Sequence, residues 1–147
     1  MKRVGLVVLV LVLPVLAVLG QGKDDPKKDA ERLEGTWLVV ESERNGQKQP
    51  EEQTKKLKMI FNKDRYIIQV DENTKEATFT IDPTKKPKTI DVVPLDGEDK
   101  GKTIPGIYML DGDKLKLCFA DKTPDRPKEF TGKADSKAIL FVLQKAK

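Results

Sequence analysis

The sequence predicts an all-β fold, a single closed antiparallel barrel of about eight strands with short helical turns. Short runs suited to β-strands recur from residue 36 to residue 144, separated by turn residues and without a long helical pattern. Apolar and polar residues alternate within four of these runs, which gives each strand one buried and one solvated face. Such repetition fits a barrel or a sandwich. The Gly35-Thr36-Trp37 opening favours the small barrel, with the indole closing one end.

The predicted strands follow one another with little chain between them. Asn45-Gly46 and Asp111-Gly112-Asp113 are the strongest turn signals. Pro50 marks the start of a short helix, and Asp29 is the expected N-cap of a helical turn before the first strand. The first and last strands are apolar on both faces, so we expect them to be central or covered on the outside. The strands are predicted at residues 36–42, 56–61, 65–70, 75–82, 88–93, 103–110, 114–119, 129–131 and 138–144.

Residues 1–20 have the features of a secretory signal peptide. Lys2 and Arg3 precede an apolar run over residues 4–19, which Gly5 and Pro14 interrupt. An uncleaved membrane anchor is the alternative, but the run is shorter than the roughly 20 apolar residues that a spanning helix needs. We therefore expect export, with cleavage close to residues 20–22.

The chain divides into three parts on this basis. We assign residues 1–20 to the signal peptide, 21–32 to a charged linker and 33–147 to one barrel domain. The expected location is periplasmic or extracellular, without a membrane span after cleavage, and we expect a monomer. Lysines alternate with acidic residues along the chain, whereas nucleic-acid binders segregate their basic residues. Nucleic acid is therefore not an expected partner.

Two features of the composition weigh against catalysis. The sequence has no histidine, which removes the usual general base and the commonest metal ligand. Ser42 and Ser136 are its only serines, and neither lies in a nucleophile motif. The acidic loops at residues 96–99 and 111–113 lack the spacing of a calcium site. We expect a protein that is not an enzyme and has no cofactor and no metal.

The Gly35-Thr36-Trp37 opening, followed by antiparallel strands, resembles the lipocalin-like barrels. In those barrels a basic side chain from the last strand packs across the tryptophan and closes the base. The resemblance assigns this role to Lys145, which shares a face with the apolar residues of the last strand. Arg126, between two prolines, is either a second closing cation or a loop residue.

A second resemblance covers nearly the whole chain after the leader. Several sequence blocks, in order, are similar to a paralogous domain family of planctomycete bacteria. It implies a small exported domain with a lipocalin-like (calycin-type) barrel and carries over no activity. The blocks are LEGTW at 33–37, DPTKKPK at 82–88, DGEDKGKT at 96–103, GIY at 106–108, LKLCFA at 115–120 and RPKEF at 126–130.

Five large side chains are predicted to point into the barrel. They form either a solid core or the wall of a cavity for a small apolar ligand, with the tyrosine hydroxyls as polar contacts. In the second case residues 49–56 could cover the open end as a lid. The five residues are Met59, Phe61, Tyr66, Phe79 and Tyr108.

Cys118 is the only cysteine, so the chain has no internal disulfide. By alternation its side chain points away from the core, on the same face as the lysines of its strand. There it is either a free thiol that can pair between chains or a side chain half covered by a neighbouring segment. The function expected is an exported, non-catalytic binding module with a small apolar ligand as partner. The alternative is a solid-core structural or protein-interaction domain with a partner in the cell envelope.

Overall fold

The computed structural model describes residues 25–147, and the predicted signal peptide lies outside them. Within these residues, nine strands and two short helices make up the fold. The helices are α1 (Pro26–Leu33) and α2 (Glu51–Thr54). The strands are β1 (Gly35–Arg44), β2 (Gln47–Lys48), β3 (Leu57–Asn62), β4 (Arg65–Val70), β5 (Asn73–Asp82), β6 (Thr89–Pro94), β7 (Ile104–Asp111), β8 (Lys114–Ala120) and β9 (Ala138–Lys145).

The strands close into a barrel of eight, as the sequence predicts. From β3 to β9 each strand pairs with the next in antiparallel fashion, and β1 pairs with both β3 and β9. A bulge between Val39 and Glu41 shifts the register of the closing pair. The two-residue strand β2 pairs only with the far end of β1. The single closed sheet rules out the sandwich.

Two local predictions are wrong. Residues 129–131 do not form a strand, because they lie outside the barrel, whose closure leaves no free edge for them to join. Asp29 is not an N-cap: α1 begins after Asp25, whose side chain accepts a hydrogen bond from the Lys27 amide. Helix α1 therefore occupies much of the range that we assigned to a linker.

The strand order defines two ends of the barrel. The α1 end carries helix α1 and the turns that join β3 to β4, β5 to β6 and β7 to β8. The opposite end, here called the mouth end, carries α2 and the turns after β4, β6 and β8. Between the two ends, one continuous cluster of buried apolar side chains fills the barrel.

The outer faces of the closing strands differ from each other. Leu140 of β9 packs under the loop of residues 121–137, as expected for a covered strand. On β1, by contrast, Leu38 and Val40 are 38% and 55% exposed. Of the two predicted alternatives, β1 therefore has partner strands on both sides and no cover over these two side chains.

Candidate functional site

Trp37 closes the α1 end of the barrel. Its side chain is fully buried, and the indole Nε1 donates a hydrogen bond of 2.8 Å to the Leu33 carbonyl at the end of α1. The register places Trp37 opposite Lys145 on β9, and the Lys145 Nζ lies 5.2 Å from the centroid of the indole ring. The indole therefore ties the end of α1 to the pair of strands that closes the barrel.

Lys145 also caps the end of α1. Its Nζ donates hydrogen bonds of 3.0 Å and 2.9 Å to the carbonyls of Arg32 and Glu34. Such carbonyls lack partners within a helix. Gly35 adopts a φ of 119°, and a Cβ at this position would lie 3.4 Å from Lys145 Cε. The structure thus brings three of the predicted closure residues together: Gly35, Trp37 and Lys145.

Arg126, the fourth predicted closure residue, lies elsewhere. Its guanidinium donates hydrogen bonds to the Gly106 carbonyl at 2.8 Å and to the Ile90 carbonyl at 3.2 Å. It also forms an ion pair of 2.7 Å with Asp91, whose side chain alternates outward from β6. Arg126 therefore anchors its loop to the outer surface of β6 and β7 and does not reach across Trp37, so of its two predicted roles the structure supports that of a loop residue.

A buried carboxylate, which sequence reasoning missed, fastens α1 to the barrel a second time. Asp29 is fully buried, and its Oδ2 accepts hydrogen bonds of 2.6 Å from the Tyr108 hydroxyl and 2.9 Å from Lys88 Nζ. Arg32 Nη1 lies 3.8 Å from the other carboxylate oxygen. Together these groups compensate for the burial of the charge. One signal could have revealed it: Asp29 precedes the buried Leu33 by four residues, which puts both on one helical face.

The five residues predicted to line a cavity form a packed core. Each is 8% exposed or less. The centroid of the Phe61 ring lies 5.1 Å from the centroid of the Tyr66 ring and 5.0 Å from that of the Phe79 ring. The Tyr66 ring also contacts the Phe119 ring. Three pockets among the described residues, of about 490, 600 and 770 Å³, have linings that include none of the five. Of the two predicted alternatives, the structure therefore has the solid core, because aromatic side chains from neighbouring strands fill the interior.

Both tyrosine hydroxyls are engaged inside the protein. The Tyr66 hydroxyl donates to the Met59 sulfur at 3.1 Å, and the Tyr108 hydroxyl donates to Asp29. Burial raises the pKa of Tyr66. Burial, followed by the hydrogen bond to Asp29 and the negative charge of that residue, raises the pKa of Tyr108. Both side chains remain neutral donors and are not available to a ligand.

A pocket of about 600 Å³, here called the mouth pocket, opens at the mouth end. Its apolar part is Ile68, which packs against the core, and Val70, which is 39% exposed. On β5, Lys75 lies opposite Ile68 and Asn73 opposite Val70. Thr74, Asp96 and Gly97 complete the lining. Ligand sites commonly have volumes of about 300–1,000 Å³ and mostly apolar walls with a few polar groups, as here.

Helix α2 lies beside the strands at the mouth end. Thr54 is buried there, and the Lys56 carbonyl accepts a hydrogen bond of 3.4 Å from the Asp71 amide in the turn after β4. Residues 49–56, predicted as a possible lid, do not line the mouth pocket. They pack instead against the wall of the barrel near β1.

Cys118 faces outward, as alternation predicts, but it is fully buried. The loop of residues 121–137 covers it, and its Sγ lies 3.4 Å from the Thr131 carbonyl. Ile107, Phe130 and Leu140 pack around it. Burial raises the pKa of the thiol. Pairing with a second chain would therefore require this loop to move away.

We expect the folded protein to react with a thiol reagent at least about tenfold more slowly than the same protein unfolded in denaturant, because the reactive form is an exposed thiolate. The rate of labelling of Cys118, followed by mass spectrometry in native buffer and in denaturant, measures this difference. Equal rates under the two conditions, or a dimer that disappears on reduction, would contradict the buried position.

The described residues form a closed antiparallel barrel of eight strands, compatible with a lipocalin-like fold. Among residues 25–147, no helix has both the length and the apolar character needed to cross a membrane. Comparison with protein-family models, curated proteins and solved structures finds no match to this chain. The fold class is therefore established by the strand pairing alone, which makes this chain an all-β closed barrel protein.

Proposed function

We propose that this chain is an exported, non-catalytic binding module of the lipocalin-like type, which takes a small apolar ligand in the mouth pocket. One observation carries the proposal: the apolar lining of the mouth pocket remains accessible, although the rest of the barrel is packed. The lack of histidine in the sequence supports a role other than catalysis. Export and membership of the planctomycete domain family are parts of the same proposal, supported by the leader and by the sequence blocks.

The packed core limits how deep such a ligand can bind. Tyr66 and Ala77 are buried on β4 and β5, two residues toward the α1 end from Ile68 and Lys75, so the packed core begins next to the pocket. A ligand would therefore place its apolar part on Ile68 and Val70, with any polar group near Lys75 or Asp96. This shallow position differs from a site inside the barrel.

We expect Val70→Glu to weaken the binding of the neutral dye Nile red by about tenfold or more. The bound dye would remove water from the new carboxylate, and the loss of hydration of a charged group is costly. Val40→Glu is the matched control: it makes the same change at a more exposed apolar position on the outside of β1. Fluorescence titrations of the parent protein and both variants provide the affinities. Equal weakening by both changes would contradict the assignment of the pocket.

The solid-core alternative, a protein-interaction domain of the cell envelope, also has an observation in its favour. Leu38 and Val40 lie close together on the outer face of β1, and no described segment covers them. Exposed apolar side chains that cluster together can mark a protein contact. The titration separates the two functions, because the alternative predicts no saturable binding of the dye to the parent protein.

A further inference from the structure

Two loops that are distant in sequence meet on the outside of the barrel and form a second pocket. One loop joins β5 to β6 and contributes Lys85, Lys86 and Pro87. The other is the loop of residues 121–137, which contributes Arg126 to Lys128. The pocket between them, here called the basic groove, has a volume of about 770 Å³. It lies on the outer wall and shares no lining residue with the mouth pocket.

The acidic residues of the basic groove are already engaged. Asp91 pairs with Arg126 at 2.7 Å. Asp82 accepts hydrogen bonds from the Thr84 hydroxyl and amide, at 2.5 Å and 3.0 Å. These two bonds, in that order, lower the pKa of Asp82, with a smaller contribution from the charge of Lys85. Both carboxylates therefore serve to hold the loops in place.

The lysines of the basic groove differ from its acidic residues in exposure and in ion pairing. Lys85, Lys86 and Lys128 are exposed. Among residues 25–147, the ion pairs include none of these three ammonium groups. Three positive charges thus converge on one groove without a carboxylate in direct contact. They favour an anionic ligand with more than one charge.

The loops that carry these lysines are anchored to the barrel. Pro83 is fully buried at the start of the first loop. In the second loop, the guanidinium of Arg126 bonds to two strand carbonyls and to Asp91. Anchored loops lose less conformational freedom on binding, so the backbone that carries the lysines needs little reordering when a ligand binds. Arg126 positions the loop, and the lysines provide the contacts.

The floor of the groove indicates what kind of anion fits. Pro87, Pro127 and Ile107 line it together with Thr89, and it contains no aromatic side chain on which a sugar ring could stack. In an extended peptide, side chains at every second position point to the same side, so acidic residues at alternate positions face the lysines together while the backbone lies along the apolar floor. We infer that the basic groove binds an extended, acidic peptide segment of a protein partner. This inference does not depend on the ligand proposed for the mouth pocket.

The test uses the purified protein and a fluorescently labelled peptide of alternating glutamate and valine residues. We expect saturable binding by fluorescence anisotropy, and a loss of affinity of about tenfold or more in the double variant Lys85→Glu/Lys86→Glu. Lys128→Glu, on the other loop, tests the groove independently. The matched control is Lys114→Glu/Lys116→Glu, which makes the same change in charge at two exposed lysines of β8, and we expect it to leave the affinity within about twofold.

Three results would overturn the inference. The first is equal binding of a peptide in which glutamine replaces every glutamate. The second is an equal loss of affinity in the β8 control, which would mean non-specific attraction. The third is displacement of the peptide by inorganic phosphate beyond the effect of sodium chloride at the same ionic strength, which would identify a simple anion site. Circular dichroism of each variant checks that the barrel is folded.

Discussion

Replacing Trp37 by alanine is expected to lower the free energy of unfolding by about 3–5 kcal/mol, the range for large aromatic side chains in cores. The indole is fully buried, bonds to the Leu33 carbonyl and lies under the Lys145 ammonium group. Its loss would leave a cavity and detach α1 from the closing strands at the same time. Because small domains are stable by only about 5–15 kcal/mol, the variant would be close to unfolding.

Leu38→Ala provides the control for this expectation. Leu38 is the next residue on β1 but faces outward and is 38% exposed. Its truncation should change the free energy of unfolding by about 0.5 kcal/mol or less, as is usual for exposed positions. Chemical denaturation of both variants measures the difference. A cost below about 1 kcal/mol for Trp37→Ala would contradict the closing role of the indole.

Asp29→Ala is expected to have the second largest effect, about 3 kcal/mol, at the low end of the range for breaking a buried ion pair. The Tyr108 hydroxyl would lose its acceptor, and the Lys88 ammonium would lose a carboxylate at 2.9 Å. The figure lies at the low end because the Lys88 side chain is 24% exposed and keeps some contact with water. Glu31→Ala, at an exposed position of the same helix, is the control and should have little effect.

A double-mutant cycle separates the contact from a general loss of packing. If the Asp29–Tyr108 hydrogen bond matters, Asp29→Ala and Tyr108→Phe should be non-additive, with an interaction energy of about 0.5–3 kcal/mol. Denaturation of the two single variants and the double variant measures this energy. Additive effects would show that the Asp29–Tyr108 hydrogen bond contributes little to the attachment of α1.

Most of the barrel could be predicted because its pattern is local. Alternation in β3, β4, β5 and β8 marks the inward face of each strand, and turn residues mark their ends. The run at residues 129–131 was predicted wrongly because its local β-type composition does not show that the barrel has already closed without it. Exposure of Val40 was not predicted either, since nothing local shows which outer face the loop of residues 121–137 will cover.

The site was harder to predict because it depends on contacts between distant parts of the chain. The pairing of Trp37 with Lys145 was expected from a resemblance, and the structure places the two side chains together. Alternation could assign Met59 and Tyr66 to the interior, but it could not show whether neighbouring rings fill the space between them. Asp29 was predicted to be an N-cap because aspartate favours that position. Its actual partners, Lys88 and Tyr108, follow it by 59 and 79 residues in the sequence, so no local pattern indicates them.

The position of a bound apolar probe tests most directly whether a ligand binds in the mouth pocket while the interior of the barrel stays packed. We would record NMR spectra of the isotopically labelled protein during a titration with Nile red and follow the backbone amides of β3, β4 and β5. We expect the largest shifts at Ile68, Val70 and Lys75 around the mouth pocket, with small changes at the core residues Phe61 and Phe79. Shifts centred on those two core residues instead would show that the interior opens to the ligand and would contradict the packed barrel.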